Sequence, residues 1–210
     1  MMQGRIQPTR SELLAIKRRI LIAERGHRLL KMKRDVLILE LIKIAKNAQE
    51  TTRILEQQYR SSLDTLAVAQ MMEGSLGIAI VAISVEISPE LMVGSRNVMG
   101  MRLPVFSSKG VKKELAERGY SLISTSSVID EAAESFEDLT ALLIHSAEQQ
   151  AAIRILTDEI TRLRRRVNAL EFAVIPELYS LRDAITFQRD ELEREETSRI
   201  FWMKKKRGMR

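Results

Sequence analysis

The chain has 210 residues, with 34 Lys and Arg against 28 Asp and Glu, a formal net charge of +6 and no cysteine. Aromatics make up 4% and charged residues 30%, a balance that suits long helices better than a thick globular core. The composition excludes disulfides and thiolate metal sites, and the basic excess favours acidic partners: nucleic acid, a membrane surface or an acidic protein.

From Ser11 to Met72 there is no proline and one glycine, Gly26. Apolar residues fall at Leu13, Ile16, Ile20, Ala23, Leu30, Leu37, Leu41, Ile44, Ala48, Leu55 and Leu66. Their spacings alternate three and four, with gaps, and this is the coiled-coil period. Pro8-Thr9-Arg10-Ser11 supplies the helix start, with Ser11 expected as its cap. Leu21, Ile22, Leu29, Ile38, Leu39 and Ile42 widen the stripe beyond one seam, so more than one partner surface is expected to touch it.

The period changes after Gly74. Gly77–Pro89 reads as β-rich, Arg96–Phe106 as a second candidate strand, and Val111–Arg118 as a short helix; Gly94, Gly100, Pro104 and Gly110 punctuate the region. Gly77–Val85 is also the longest apolar run, well short of the ~18–20 residues of a membrane span. No charged-then-apolar signal pattern opens the chain. The expectation is a cytoplasmic protein with no direct membrane span, able to sit on a membrane complex.

A second helix is expected from Ser127, with Ser127 as its cap and Asp130 and Glu131 in its first turn. Its seam runs Leu139, Leu142, Gln149, Ile153, Leu156, Ile160, Leu163, Val167, Leu170, Val174, Leu178, Leu181, Ile185 and Leu192. One four-plus-four step, Leu170–Val174–Leu178, interrupts the alternation and straddles Pro176. A proline inside a helix lacks its N–H and crowds the carbonyl four residues back, at about 3 kcal/mol or more. Because the seam continues past it, the expectation is a kinked but continuous helix; the alternative is a break at Val174–Ile175.

Helices this long do not bury themselves in a globule of 210 residues. The expected fold is mainly α: a long antiparallel two-helix left-handed coiled coil with a small β-hairpin-containing knob at the turn. Its parts are an N-terminal helix over 1–72, a β-rich knob over 73–126 and a C-terminal helix with a basic tail over 127–210. Residues 1–50 carry 12 basic and 5 acidic side chains, residues 128–150 six acidic ones with no Lys or Arg, and residues 189–210 eight basic and five acidic. Both basic segments are expected to meet at the free end.

No segment matches the phosphate-cradling G-x-x-x-x-G-K-[ST] loop, and glycines are too sparse for another Gly-rich nucleotide site. His27 falls on the first seam, as a packed histidine would, and His145 has no partner at ligand spacing. No catalytic residue, metal site or cofactor is expected. The run Arg162, Arg164, Arg165, Arg166 is the strongest local charge feature. It is open to three readings: a solvated or acid-paired face, an acidic protein wall, or phosphate binding. No aromatics interleave it for base stacking. The tail with Lys204, Lys205 and Lys206 is open to the same readings.

Pro8–Asp35 closely resembles the opening segment of the D subunits of archaeal-type and vacuolar-type rotary ATPases. Arg164–Arg207 resembles the closing segment of the same family. The motifs are P-T-R-S-x-L-L near the start and R-R-V-N-A-L-E-x-x-x-I-P near the end, in the family's order. The resemblance implies a non-catalytic axle of the central stalk, transmitting torque between an ion-translocating membrane ring and a catalytic hexamer of A and B subunits. It implies the small F subunit and a funnel-like subunit on the ring as further partners, and a cytoplasmic place peripheral to the membrane. The family's motif residues fall on Pro8, Thr9 and Arg10, and on Arg165 to Glu171, which includes Asn168. Together with Arg162, Arg164, Arg166, Lys204, Lys205 and Lys206 these are the expected contacts with the hexamer. The rival reading is a basic coiled-coil scaffold or nucleic-acid-binding protein, which accounts for the charge and the heptads but not for the two terminal motifs.

Overall fold

A computed structural model describes residues 9–85, 89–113, 118–120 and 126–207. The fold is mainly α. Helix α1 spans Arg10–Ser84, strands β1 (Glu90–Val98) and β2 (Met101–Lys109) form an antiparallel hairpin, and α2 spans Ser127–Ala169. A π-helical turn over Leu170–Val174 then leads without interruption into α3, Ile175–Arg207. The chain divides into two compact units: residues 1–36 with 160–210, and residues 37–159.

In the first unit α1 pairs antiparallel with the second half of the chain. Arg10 reaches Glu193, Glu24 reaches Tyr179, and His27 reaches Glu171. Leu13, Ile16, Ile20 and Ile185 form the core of this pair, with Leu178, Tyr179 and Leu181 packed against it. Ile16 is fully buried, so Ile16→Ala costs about 2–5 kcal/mol. The helix is capped at Thr9, two residues before the expected Ser11. Thr9 Oγ1 accepts the Glu12 N–H at 3.2 Å, and the Thr9 carbonyl accepts the Leu13 N–H. Thr9-Arg10-Ser11-Glu12 has the S/T-x-x-E spacing of a capping box, a signal stronger than the lone Ser11.

The gaps in the first seam are filled by polar residues. Leu13, Ile16, Ile20, Ala23, His27, Leu30 and Arg34 keep the three-four alternation in the first unit. Leu37, Leu41, Ile44, Ala48, Thr51, Leu55, Gln58, Ser62, Thr65 and Ala69 keep it in the second. All are buried or half-buried. The polar members of the second unit meet partners on α2: Gln149 donates to Thr51 Oγ1 at 3.1 Å, and Gln58 and Ser62 both meet Ser135. Such layers set register because shifting them leaves buried polar groups unpaired.

The strand expected between Gly77 and Pro89 is not present among the described residues: Gly77–Ser84 is helical, and residues 86–88 lie outside the described ones. Short apolar runs do not distinguish strand from helix. Here Ile78 and Val81, three apart, line an apolar recess with Ile129, Ala132 and Phe136 of α2, and that packing decides. The change of period comes from Gly74, whose φ of 73° and ψ of 162° break α1 in a conformation open only to glycine. Between Leu66 and Ile83 the only charged residue is Glu73, and α1 contains a stretch long and apolar enough to cross a membrane by length and composition. Counting only the uninterrupted apolar run understates this. The glycine break interrupts the backbone hydrogen bonding a span requires.

A hairpin does form, but its two-residue turn, Met99–Gly100, falls inside the segment expected to be a single strand. Both turn residues have positive φ, 50° and 82°, the twist that matches two flanking strands. The Gly100 N–H is held by Asn97 Oδ1 at 2.9 Å. Val111 and Lys112 are not helical; residues 114–117 of the expected short helix lie outside the described residues. Helix α2 starts at Ser127 as expected, but Ser126 caps it, accepting the Val128 N–H on Oγ.

The segment beyond Pro176 is helical, so the alternative of a break does not occur. Sequence reasoning missed the π turn. The Ile175 N–H bonds the Leu170 carbonyl, five residues back. Val174, expected on the seam, is exposed, while Ile175 is half-buried. The eight-residue step from Leu170 to Leu178 is therefore five plus three, not four plus four. A π turn holds one extra residue without rotating the later turns off their face. It also widens the helix just where the proline ring would crowd a carbonyl.

Candidate interaction surface

Every described candidate residue lies in the first unit. Pro8 lies outside the described residues. Thr9 caps α1, and Arg10 pairs with Glu193 at 3.3 Å in an exposed contact. Arg162, Arg164, Arg165 and Arg166 are all exposed on α2, around the buried Leu163 and Val167. None of the four has a hydrogen bond or ion pair among the described residues, so each keeps its charge for solvent or a partner. Asn168 is exposed beside them.

Glu171 lies in the π turn. Its Oε2 is 3.4 Å from His27 Nε2, within ion-pair distance, yet the alignment is too poor for a hydrogen bond and Nε2 is buried without one. His27 is thus a seam residue facing a carboxylate across the pair. Tyr179, in α3, donates to Glu24 at 2.5 Å and carries Arg182 over its ring at 4.7 Å. That hydrogen bond is the main cause holding the Tyr179 phenol above its ordinary pKa, with desolvation second.

Extending the His27–Glu171 pairing by one to two turns brings Lys31, Lys33 and Arg34 of α1 level with Arg162–Arg166. Lys31 and Lys33 have no ion pair among the described residues, and Arg34 is held by Asp35 at 2.7 Å. Cations therefore gather on both helices at one level. Sequence reasoning missed Lys31 and Lys33 as members of this cluster. The signal was present in the run Lys31-Met32-Lys33-Arg34, but membership depends on the pairing register.

Lys204, Lys205 and Lys206 are exposed in the last turn of α3, where cations suit the helix C-terminus. Lys205 lies 5.9 Å from the Trp202 ring. They stand about 40 residues beyond Arg164 on the chain, roughly 60 Å at helical rise. The Arg162–Arg166 and Lys204–Lys206 clusters are thus at separate levels of one unit, while the two terminal segments expected to meet do so through Arg10 and Glu193. Ile200, Phe201, Trp202 and Met203, just before the lysines, are all exposed.

The second unit holds a buried cluster that no local pattern signals. Arg118, almost fully buried, donates from Nε and Nη2 to Glu137 at 3.1 and 3.2 Å and lies 3.7 Å from Asp130. Tyr120 donates to Asp130 at 2.6 Å. Burial, then the bond to Asp130, raises the Tyr120 pKa. This cluster fixes the segment 118–120 onto α2.

A family profile described as that of the ATP synthase D subunit matches residues 12–205. The chain is 49% identical over 200 residues to the D subunit of the A-type ATP synthase of Methanoregula boonei, covering 95% of this chain and 94% of that one. It is 44% identical to the corresponding protein of Methanosarcina mazei, over 95% and 96% of the two chains. With that of Archaeoglobus fulgidus the identity is 40%, over 97% and 98%.

Proposed function

Because the chain belongs to the family of ATP synthase D subunits, we propose that it is the central-stalk shaft of an archaeal-type rotary ATP synthase. In this reading it is non-catalytic and carries torque between an ion-translocating membrane ring and a hexamer of A and B subunits. It sits on the cytoplasmic side, peripheral to the membrane, and meets the F subunit and a funnel-like subunit on the ring. The parts 1–72, 73–126 and 127–210 serve as N-terminal axle part, middle part carrying the hairpin and C-terminal axle part, with α1 running on to Ser84 within the middle one.

The physics of the first unit supports this. A shaft must resist twisting, and two helices locked by a continuous seam with buried Ile16, Leu163, Val167 and Ile185 do so. A shaft must also bias similar catalytic interfaces unequally, which requires contacts that differ around its circumference. The observation that carries the reading is the outward set Arg162, Arg164, Arg165 and Arg166, unpaired among the described residues, on a chain matched to the family along almost its whole length. Thr9, Arg10, Asn168, Glu171 and Lys204–Lys206 belong to the same proposed contact surface. The π turn and Pro176 lie next to it and direct any bend of the shaft.

The test is reconstitution. The chain is mixed with A, B and F subunits, and one defined copy is expected to enter the complex. Failure to enter, together with steeply salt-dependent binding to duplex DNA, would favour the nucleic-acid reading instead.

A further inference from the structure

The two edges of the hairpin in the second unit are treated differently. Phe106 N–H points away from β1 and donates to Glu148 Oε2 of α2 at 3.1 Å. Its cross-strand partner is Val93, so Val93 and Phe106 form a non-hydrogen-bonded pair. Alternation then makes Leu91, Val93, Ser95 and Asn97 the residues whose backbone groups face out of β1. On β2 the corresponding outward positions include Pro104, which has no N–H to offer, and Phe106, already bonded. The outer edge of β2 is therefore guarded, by a proline and by a carboxylate from a helix.

Among the described residues, the outer edge of β1 has no such guard. It contains no proline and no lysine, the devices that blunt an edge. Every residue from Glu90 to Asn97 is exposed, and Val93 is 68% exposed. Among the described residues, no backbone hydrogen bond is made at this edge.

We infer that β1 is a pairing edge for a second copy of this chain, joining two hairpins into a four-stranded antiparallel sheet about a two-fold axis at Gly94. The sequence of β1 is self-complementary in that arrangement. With Gly94 opposite Gly94 of the second copy, Val93 pairs with Ser95 and Leu91 with Asn97. All four outward residues then exchange hydrogen bonds. The two Val93 side chains become diagonal neighbours, and Glu90 lies diagonal to Arg96 of the other copy, twice. Arg96, anchored loosely by Glu40 at 3.5 Å, stays exposed enough to reach it. Opposite charges at such cross-strand positions favour pairing. An unrelated strand would match the open edge but not this charge pattern. The paired form belongs to the free chain, before it is built singly into a larger assembly.

Sedimentation equilibrium of the full-length free chain tests this across micromolar to submillimolar concentrations. The expected result is a monomer–dimer equilibrium that Val93→Pro abolishes. Proline there removes no bond of the β1–β2 ladder, and Pro104 already occupies an equivalent outward position, so the hairpin remains; circular dichroism checks that. Glu90→Arg should weaken the dimer about threefold to tenfold, and Glu90→Arg with Arg96→Glu should restore it. A chain monomeric throughout overturns the proposal, as does a dimer indifferent to Val93→Pro. A monomeric chain whose Val93→Pro variant fails to enter the reconstituted complex also overturns it, and gives the edge to a strand of another subunit.

Discussion

Gly119 lies close against the end of α1. Its φ is +84°, and a Cβ there would lie 2.7 Å from the Ser84 carbonyl oxygen. Gly119→Ala is expected to cost about 1–3 kcal/mol through strain and backbone displacement, read as a lower unfolding midpoint in urea. Its neighbours add a pH dependence. Burial and the bond to Asp130 raise the Tyr120 pKa above the ordinary 10.0. The folded state therefore keeps the phenol proton that the unfolded chain releases first. The stabilisation is complete below about pH 10 and is lost as pH rises through the folded value. Tyr120→Phe should be less stable at neutral pH and should flatten that alkaline fall. Arg118→Met, by contrast, leaves Glu137 and Asp130 without their buried cation and should cost about 3–5 kcal/mol.

At the scale of elements, the π turn raises the question of what holds it open. Pro176 and the eight-residue step from Leu170 to Leu178 both call for it. The step is the stronger cause, because closing the turn to α geometry would rotate Leu178, Leu181 and Ile185 off the core they share with Ile16 and Ile20. Pro176→Ala alone should leave the turn in place, with the Ile175 amide still protected in hydrogen exchange. Deleting Ala173 together with Pro176→Ala restores a seven-residue step and should give an uninterrupted α-helix of equal or greater stability. Deleting Ala173 alone strands the proline in an α-helix and should cost about 3 kcal/mol. The sequence held half of this. The four-plus-four step and the proline marked the irregular place, but spacing alone does not say whether Val174 or Ile175 takes the core.

For the molecule as a whole, charge is the quantity the proposed function depends on. Arg164, Arg165 and Arg166 are exposed and unpaired among the described residues, so reversing all three to Glu should move the stability of the free chain by only about 0.5 kcal/mol per substitution. The same variant should assemble poorly with A and B subunits or slow ATP-driven rotation. Wild-type assembly and torque would remove these residues from the contact surface. Raising salt from about 0.05 to 0.2 M should weaken the wild-type association more than that of the variant, since screening weakens the attraction of the three arginines, which the variant lacks. The stretch from Leu66 to Ile83, with Met71, Met72 and Ile83 largely exposed, supplies a second, apolar surface of the kind that marks a partner site.

The sequence by itself determined the period, the positions of the long helices and the place of irregularity, because each follows from residue spacing along one helix face. It also determined the family, through motifs at both ends. Its errors came where two structures suit the same local pattern. Gly77–Ser84 has strand-like composition, and only the recess lined by Ile129, Ala132 and Phe136 makes it a helix. The hairpin turn at Met99–Gly100 competed with stronger-looking punctuation on either side. The polar layers at Thr51, Gln58 and Ser62 looked like gaps until their partners on the opposing helix were in view. The tertiary structure alone decided the Arg118 cluster, the levels at which cations gather and which hairpin edge stays open. These depend on residues far apart in the chain meeting at one place, and no local pattern encodes that distance.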